Sequence, residues 1–133
     1  DSLIILCGLN SKDYRLVDGS GVSHYNLISA ELLLSVLKYF YYEEPDLYET
    51  LYGSFPIAGI DGSLKNRMEK TKAENNVHAK TGTLSGVSSL SGYVKNKRGS
   101  MIAFSILVQN YNDSSKQARD FIDAVCELLA ESN

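Results

Sequence analysis

The sequence predicts an α+β fold, an antiparallel sheet flanked by helices, built around one core over residues 1–133. Two observations predict it. Apolar residues recur at the spacing of a helix face in the first third of the chain and again at its end, whereas from Val77 onward they alternate in stretches divided by short turns. A chain of 133 residues, 44% of them hydrophobic, is also large enough for one core and too short for two comfortable domains.

Residues 1–8 read as the last turns of a helix stopped by Gly8 and Asn10. Residues 14–17 are a short strand candidate leading into Asp18-Gly19-Ser20-Gly21, a turn whose Asp and Ser can bond local amides. Ser29 caps a helix over about 30–42, with Leu33, Val36, Leu37 and Phe40 on one face. Pro45 suits the first turn of a further helix through Tyr52. Gly59-Ile60-Asp61-Gly62-Ser63 is a second tight loop, followed by a short helix over 64–70 and a solvated connector over 71–76. Three strands follow, over 78–83, 87–95 and 100–109. The short turns between them make neighbours antiparallel. A closing helix over about 114–130 carries Ala118, Phe121, Ile122, Val125, Leu128 and Leu129 as a stripe that should cover the Ile102, Phe104, Ile106, Val108 face.

Composition excludes several functions. A net charge of −3 offers no positive field for a phosphate backbone, so no nucleic acid partner is expected. The longest apolar runs are interrupted by Glu31, Ser35 and Ser105 and fall short of the ~20 residues of a transmembrane segment. Two cysteines and two histidines, widely separated, do not make a metal site, and no cofactor motif is present. Cys7 and Cys126 each sit in an apolar helical pattern, which favours buried thiols over a disulfide. The chain opens on Asp1-Ser2-Leu3 and reads as part of something longer, so the lack of a signal peptide carries no weight.

The chemistry concentrates at Lys80-Thr81-Gly82-Thr83. Strand alternation turns Lys80 and Gly82 to one face and Thr81 and Thr83 to the other. Such an edge offers a cation, two hydroxyls and backbone groups, with a glycine that lets another backbone lie close. An extended peptide could add there as a strand, its terminal carboxylate reaching the hydroxyls and the lysine. Alone, the triplet is a weak signal and reads more readily as an ordinary edge strand.

Three blocks give it context: Asp18-Gly19-Ser20-Gly21-Val22-Ser23-His24-Tyr25-Asn26, Pro56-Ile57-Ala58-Gly59-Ile60-Asp61-Gly62-Ser63-Leu64 and Ala79-Lys80-Thr81-Gly82-Thr83-Leu84-Ser85-Gly86-Val87. In order and spacing they resemble the C-terminal part of D-alanyl-D-alanine carboxypeptidases of the penicillin-binding protein 4 type (serine peptidase family S13), and the resemblance covers nearly the whole chain. It implies part of the penicillin-binding, serine β-lactamase-like transpeptidase fold. It also implies a periplasmic or cell-envelope enzyme that cleaves peptidoglycan stem peptides through a serine acyl-enzyme and is acylated by β-lactams. By that resemblance Lys80 is catalytic, Thr81 and Thr83 bind the terminal carboxylate, the Thr83 N–H forms half of the oxyanion hole, and Gly82 gives clearance.

The family's other two motifs are Ser-x-x-Lys, with the nucleophile, and Ser-x-Asn. No Ser-x-Asn occurs in the chain, and the one Ser-x-x-Lys match, Ser35-Val36-Leu37-Lys38, lies inside an amphipathic helix rather than at a helix start. Ser35 therefore reads as a decoy, and the resemblance places the true motifs before Asp1. The isolated chain is expected to be inactive and to expose surface that favours self-association. His24 stands where the family commonly has Arg. It is substrate-binding by that match and a solvated loop histidine by its own sequence, and it would hold a carboxylate in a pH-dependent way. Ser85 also stands where the family can have a longer polar residue. His78 shares a face with Lys80 and reads as packing. A β-lactamase or esterase of the same fold and a non-catalytic peptide-binding piece remain the alternatives.

Overall fold

A three-stranded antiparallel sheet sits between two helical layers in the computed structural model, which describes residues 2–112 and 114–133. The elements are α1 (Ser2–Leu6), α2 (Ala30–Glu43), α3 (Pro45–Ser54), β1 (His78–Leu84), β2 (Val87–Lys95), β3 (Met101–Gln109) and α4 (Ser115–Glu131). The spatial order is β1-β2-β3, so β1 and β3 are the edges.

Local chemistry explains the boundaries. Ser29 Oγ accepts the Leu32 N–H at 3.1 Å and starts α2, and Pro45 opens α3. Leu84 pairs with Val87, leaving Ser85-Gly86 as the whole hairpin loop, with Gly86 at φ 69°. At the next turn Asn96 Oδ1 accepts from the N–H groups of Arg98 and Ser100.

Two clusters hold the layers together. On one face α4 lays Ala118, Ile122, Cys126 and Ala130 against the sheet, where Leu90, Val94 and Phe104 meet them and Ala58, Leu64, Ala73 and Val77 close the side. On the other face Tyr93 is fully buried beneath α2 and α3, with its hydroxyl donating to the Leu37 carbonyl at 2.7 Å and its ring edge-on to Tyr48 at 5.2 Å. Burial holds Cys126 in its thiol form, its pKa pushed up to about 12, and both cysteines are free, Cys7 being only half-buried.

Four expectations change. Residues 14–17 form no strand; a single Arg15–Leu27 bridge is all the pairing they make. The helix over 64–70 reduces to a 3-10 turn at Gly62–Leu64, because Met68 and Lys70 take left-handed backbone (φ 58° and 61°) that breaks a right-handed helix. The connector over 71–76 is not fully solvated, since Ala73 is completely buried in the core. In α4 the small residues face the sheet, leaving Phe121 58% and Leu128 67% exposed.

The seam between β1 and β2 depends on Gly92. A Cβ there would lie 2.1 Å from the His78 carbonyl oxygen and 2.6 Å from the Ala79 Cα, both backbone atoms. Gly92→Ala is therefore expected to destabilise the chain by about 1–3 kcal/mol and to loosen the start of β1. Chemical denaturation measures the first effect and amide exchange at residues 78–81 the second; an unchanged midpoint would show that the strands part freely.

Candidate active site edge

β1 is clamped along its first half and open along its second. The Ala79 N–H donates to the Pro56 carbonyl at 3.0 Å, the Ala58 N–H donates to the Val77 carbonyl at 3.0 Å, and Ile57 bridges His78. Because ladder bonds alternate along an edge strand, the N–H groups of Thr81 and Thr83 face the same outer side as that of Ala79. Among the described residues no strand pairs with that side beyond Ala79.

The clamping loop is itself rigidly built. Asp61 Oδ1 accepts the Ile57 N–H at 2.7 Å, and the Gly59 N–H donates to the Leu64 carbonyl at 3.0 Å. Gly59 takes φ 70°, and a Cβ there would come within 2.7 Å of Glu74 Cγ. Leu64 is fully buried, and just beyond it Arg67 makes a two-pronged bond to Asp123 of α4, with contacts of 2.6 and 3.0 Å.

Four of the five sequence-predicted site residues lie together on β1. Lys80 is exposed, and its Nζ donates to the Thr81 carbonyl at 2.8 Å, which holds the ammonium over the strand margin. Thr83 is exposed. Thr81 is half-buried and donates its hydroxyl to Ser63 Oγ at 2.9 Å. Alternation is as expected: His78, two residues before Lys80, stacks on Tyr52 beneath α3, whereas Ala79 packs in the α4 cluster. Gly82 differs in one respect. A Cβ there would lie 2.5 Å from Ser89 Oγ, so the room its missing side chain leaves is taken by the β2 hydroxyl, which donates to the Gly82 carbonyl at 3.4 Å.

His24 is not brought to this group. It is exposed in the loop over 18–26, which is fastened mainly to itself: Asp18 accepts from the N–H groups of Gly21 and Ser23 and from Asn26 Nδ2, and Asn26 Oδ1 accepts the Val17 N–H. These bonds, that from Asn26 foremost, hold the Asp18 carboxyl below its ordinary pKa. Among the described residues no hydrogen bond ties this loop to β1. Ser35 lies within α2 and lines a separate open hollow with Leu6, Cys7 and Tyr39, well inside the helix rather than at its start. Sequence reasoning missed Ser63 and Ser89, because a lone serine carries no periodic signal and its partner lies on another element.

The model of the D-Ala-D-Ala carboxypeptidase 3 (S13) family matches residues 3–132. The chain belongs to this family. Over 84% of its length this S13 chain is 39% identical to the D-alanyl-D-alanine carboxypeptidase DacB of Haemophilus influenzae, and over 93% it is 39% identical to a D-alanyl-D-alanine carboxypeptidase of Actinomadura sp. strain R39. It spans only 23% of either relative. The solved structure of penicillin binding protein 4 (dacB) from H. influenzae, complexed with a β-lactam, superposes with TM-score 0.86 at 32% identity, over 98% of this chain and 32% of that one. A predatory endopeptidase from Bdellovibrio bacteriovorus shares the fold at TM-score 0.77 and 19% identity, over 96% of this chain and 35% of that one. The expected family and fold are thus borne out.

His78 gives the site edge a pH limit. Burial lowers its pKa below the ordinary 6.5, against the opposing pull of the Tyr52 backbone and Asp61, and Lys95 adds to the lowering. Its Nδ1 is buried without a partner. Protonation therefore favours the unfolded chain, so stability contributed here is complete above pH 6.5 and is lost as pH falls through the lowered value. His78→Phe keeps a ring against Tyr52 and removes the titrating nitrogen. Thermal melts between about pH 8 and pH 5 should show a smaller acid loss in the variant than in the parent; equal slopes would place the loss elsewhere.

Proposed function

We propose that this chain is the C-terminal portion of the catalytic domain of a cell-envelope serine D-Ala-D-Ala carboxypeptidase or endopeptidase, and that it supplies the strand along which the stem peptide lies. The observation that carries the reading is the Lys80-Thr81-Gly82-Thr83 run, with Lys80 and Thr83 exposed, on an edge strand whose outer side is unpaired there, in a chain of the S13 family. The nucleophile lies outside residues 1–133, a reading supported by the small share of its relatives that the chain spans and by the interior position of Ser35.

An extended peptide ending in a carboxylate adds to the edge at Thr81 and Thr83, whose outward backbone groups pair with it. The hydroxyls of Thr81 and Thr83 donate to the terminal carboxylate, and Lys80 supplies the cation that lowers the energy of gathering negative charge there. A serine from the rest of the protein attacks the carbonyl before the last residue. The Thr83 N–H donates one hydrogen bond to the oxygen that becomes negative, the terminal D-alanine leaves with the proton given up by the serine, and water later hydrolyses the ester. A β-lactam enters the same path and stays as a stable acyl group. His24 contributes to side-chain selection only if the rest of the protein closes the 18–26 loop toward β1.

In the complete protein, Lys80→Ala should lower the rate of labelling by a fluorescent penicillin about 100-fold or more, whereas Ser35→Ala should leave it within about twofold. The 133-residue chain alone should not label. Undiminished labelling in Lys80→Ala would remove the strand from the chemistry, and rapid turnover of the β-lactam would point to a β-lactamase. The open side chains of Ile5, Leu6, Leu16, Val22 and Leu27, each more than half exposed, support a second expectation: the isolated chain associates with itself as concentration rises. Light scattering tests this, and a constant monomer mass across the range would refute it.

A further inference from the structure

We infer that Ser63 is a positioning residue for carboxylate recognition, acting through Thr81; the inference rests on the reading of β1 as the substrate strand. Thr81 Oγ1 and Ser63 Oγ are 2.9 Å apart, with Thr81 donating, and they join segments 18 residues apart in the chain. The side chain of Ser63 is exposed, but the backbone beneath it is held in place. The loop that carries it is fixed by Asp61 on the Ile57 N–H, by the Gly59 to Leu64 backbone bond and by the buried Leu64 next in sequence. The same loop is bonded to β1 through Pro56, and through Ala58 to Val77 just before the strand. Ser63 and Thr81 are thus carried on one braced unit, and the bond selects the Thr81 rotamer rather than following from it.

A hydroxyl has one proton and two acceptor lone pairs. While the edge is vacant, Thr81 gives its proton to Ser63. When a carboxylate arrives, Thr81 turns that proton to the ligand, and Ser63 turns its own proton back to Thr81 Oγ1. The oxygen of Thr81 stays where it was and exchanges only the direction of one bond. No heavy atom moves and no covalent bond forms or breaks. Without Ser63 the Thr81 side chain is free to rotate, and it meets the carboxylate in its useful rotamer for only part of the time.

The effect must then follow the carboxylate and not the rest of the ligand. In the complete protein, acylation rate constants are measured with a penicillin and with its methyl ester, for the parent, Ser63→Ala, Ser63→Thr, Thr81→Val and the Thr81→Val/Ser63→Ala double variant. Ser63→Ala should slow acylation by the free acid about fivefold and leave the ester unchanged. Ser63→Thr, which keeps the hydroxyl, should restore the parent rate, and Ser63→Ala should add nothing once Thr81 is Val. Equal losses with acid and ester, no loss with the acid, or additive losses in the double variant would overturn the assignment. Lys80→Ala, run alongside, separates the two ideas: if it leaves acylation intact, the substrate-strand reading fails, whereas a strong loss there with no effect at Ser63 removes only the positioning role.

Discussion

The outward backbone groups of an edge strand must be paired or left to solvent, and β1 is divided between the two. Its first residues are taken up by the segment over 56–58, whose Pro56 offers a carbonyl but has no N–H that would need a partner of its own. Because this pairing is antiparallel, the cover ends beyond Ala79 on the N-terminal side of Pro56, where Phe55 follows the last residue of α3, and the strand margin is free. Everything the chain can do at that margin depends on where this covering stops. A cover two residues longer would pair the outward groups of Thr81, and a shorter one would leave the strand start loose.

The sheet also separates chemical roles by face. His78 and Tyr93 lie on the side covered by α2 and α3, in a dense aromatic group where burial raises the Tyr48 pKa to about 12 and keeps the phenol neutral. Lys80 and Gly82 continue that face beyond the cover. Ser91 and Ser105, paired with each other at 2.9 Å, continue it across the sheet. Thr81 and Thr83 lie on the α4 side. A ligand held at the margin would therefore have a cation on one side and hydroxyls on the other, an asymmetry that the simple alternation of a strand supplies.

Much of this architecture was legible in the sequence because it is written in local patterns. β2 begins and ends where its alternation does, β3 differs by one residue, and the Ser29 cap starts α2 as its chemistry requires. The failures share a cause, which is that tertiary placement overrode a local signal. Tyr14 to Val17 have strand-like composition but only the Leu27 backbone to meet, and the run after Leu64 is bent by the left-handed Met68 and Lys70 into a wrap around the core. In α4 helical spacing alone admits Phe121 and Leu128 to the apolar stripe, yet the face that meets the sheet is Ala118, Ile122, Cys126 and Ala130, and Phe121 is turned outward. At the site, the Lys-Thr-Gly run could be read directly, whereas Ser63 and Ser89 acquire their roles only when distant segments meet. The two Asp-Gly-Ser loops show the same limit: both aspartates tie down amides of their own loop, but only the second loop is bonded to β1.

The ion pair between Arg67 and Asp123 ties the middle of α4 to the end of the segment that braces β1, with both side chains largely withdrawn from water. Removing one partner would leave the other charge poorly solvated, and the least constrained response is for the 62–67 backbone to shift outward. That displacement would be transmitted along the segment to the strand margin. A map of functional losses against sequence position would then mark Asp123, on a helix that never meets the ligand, as though it belonged to the pocket wall.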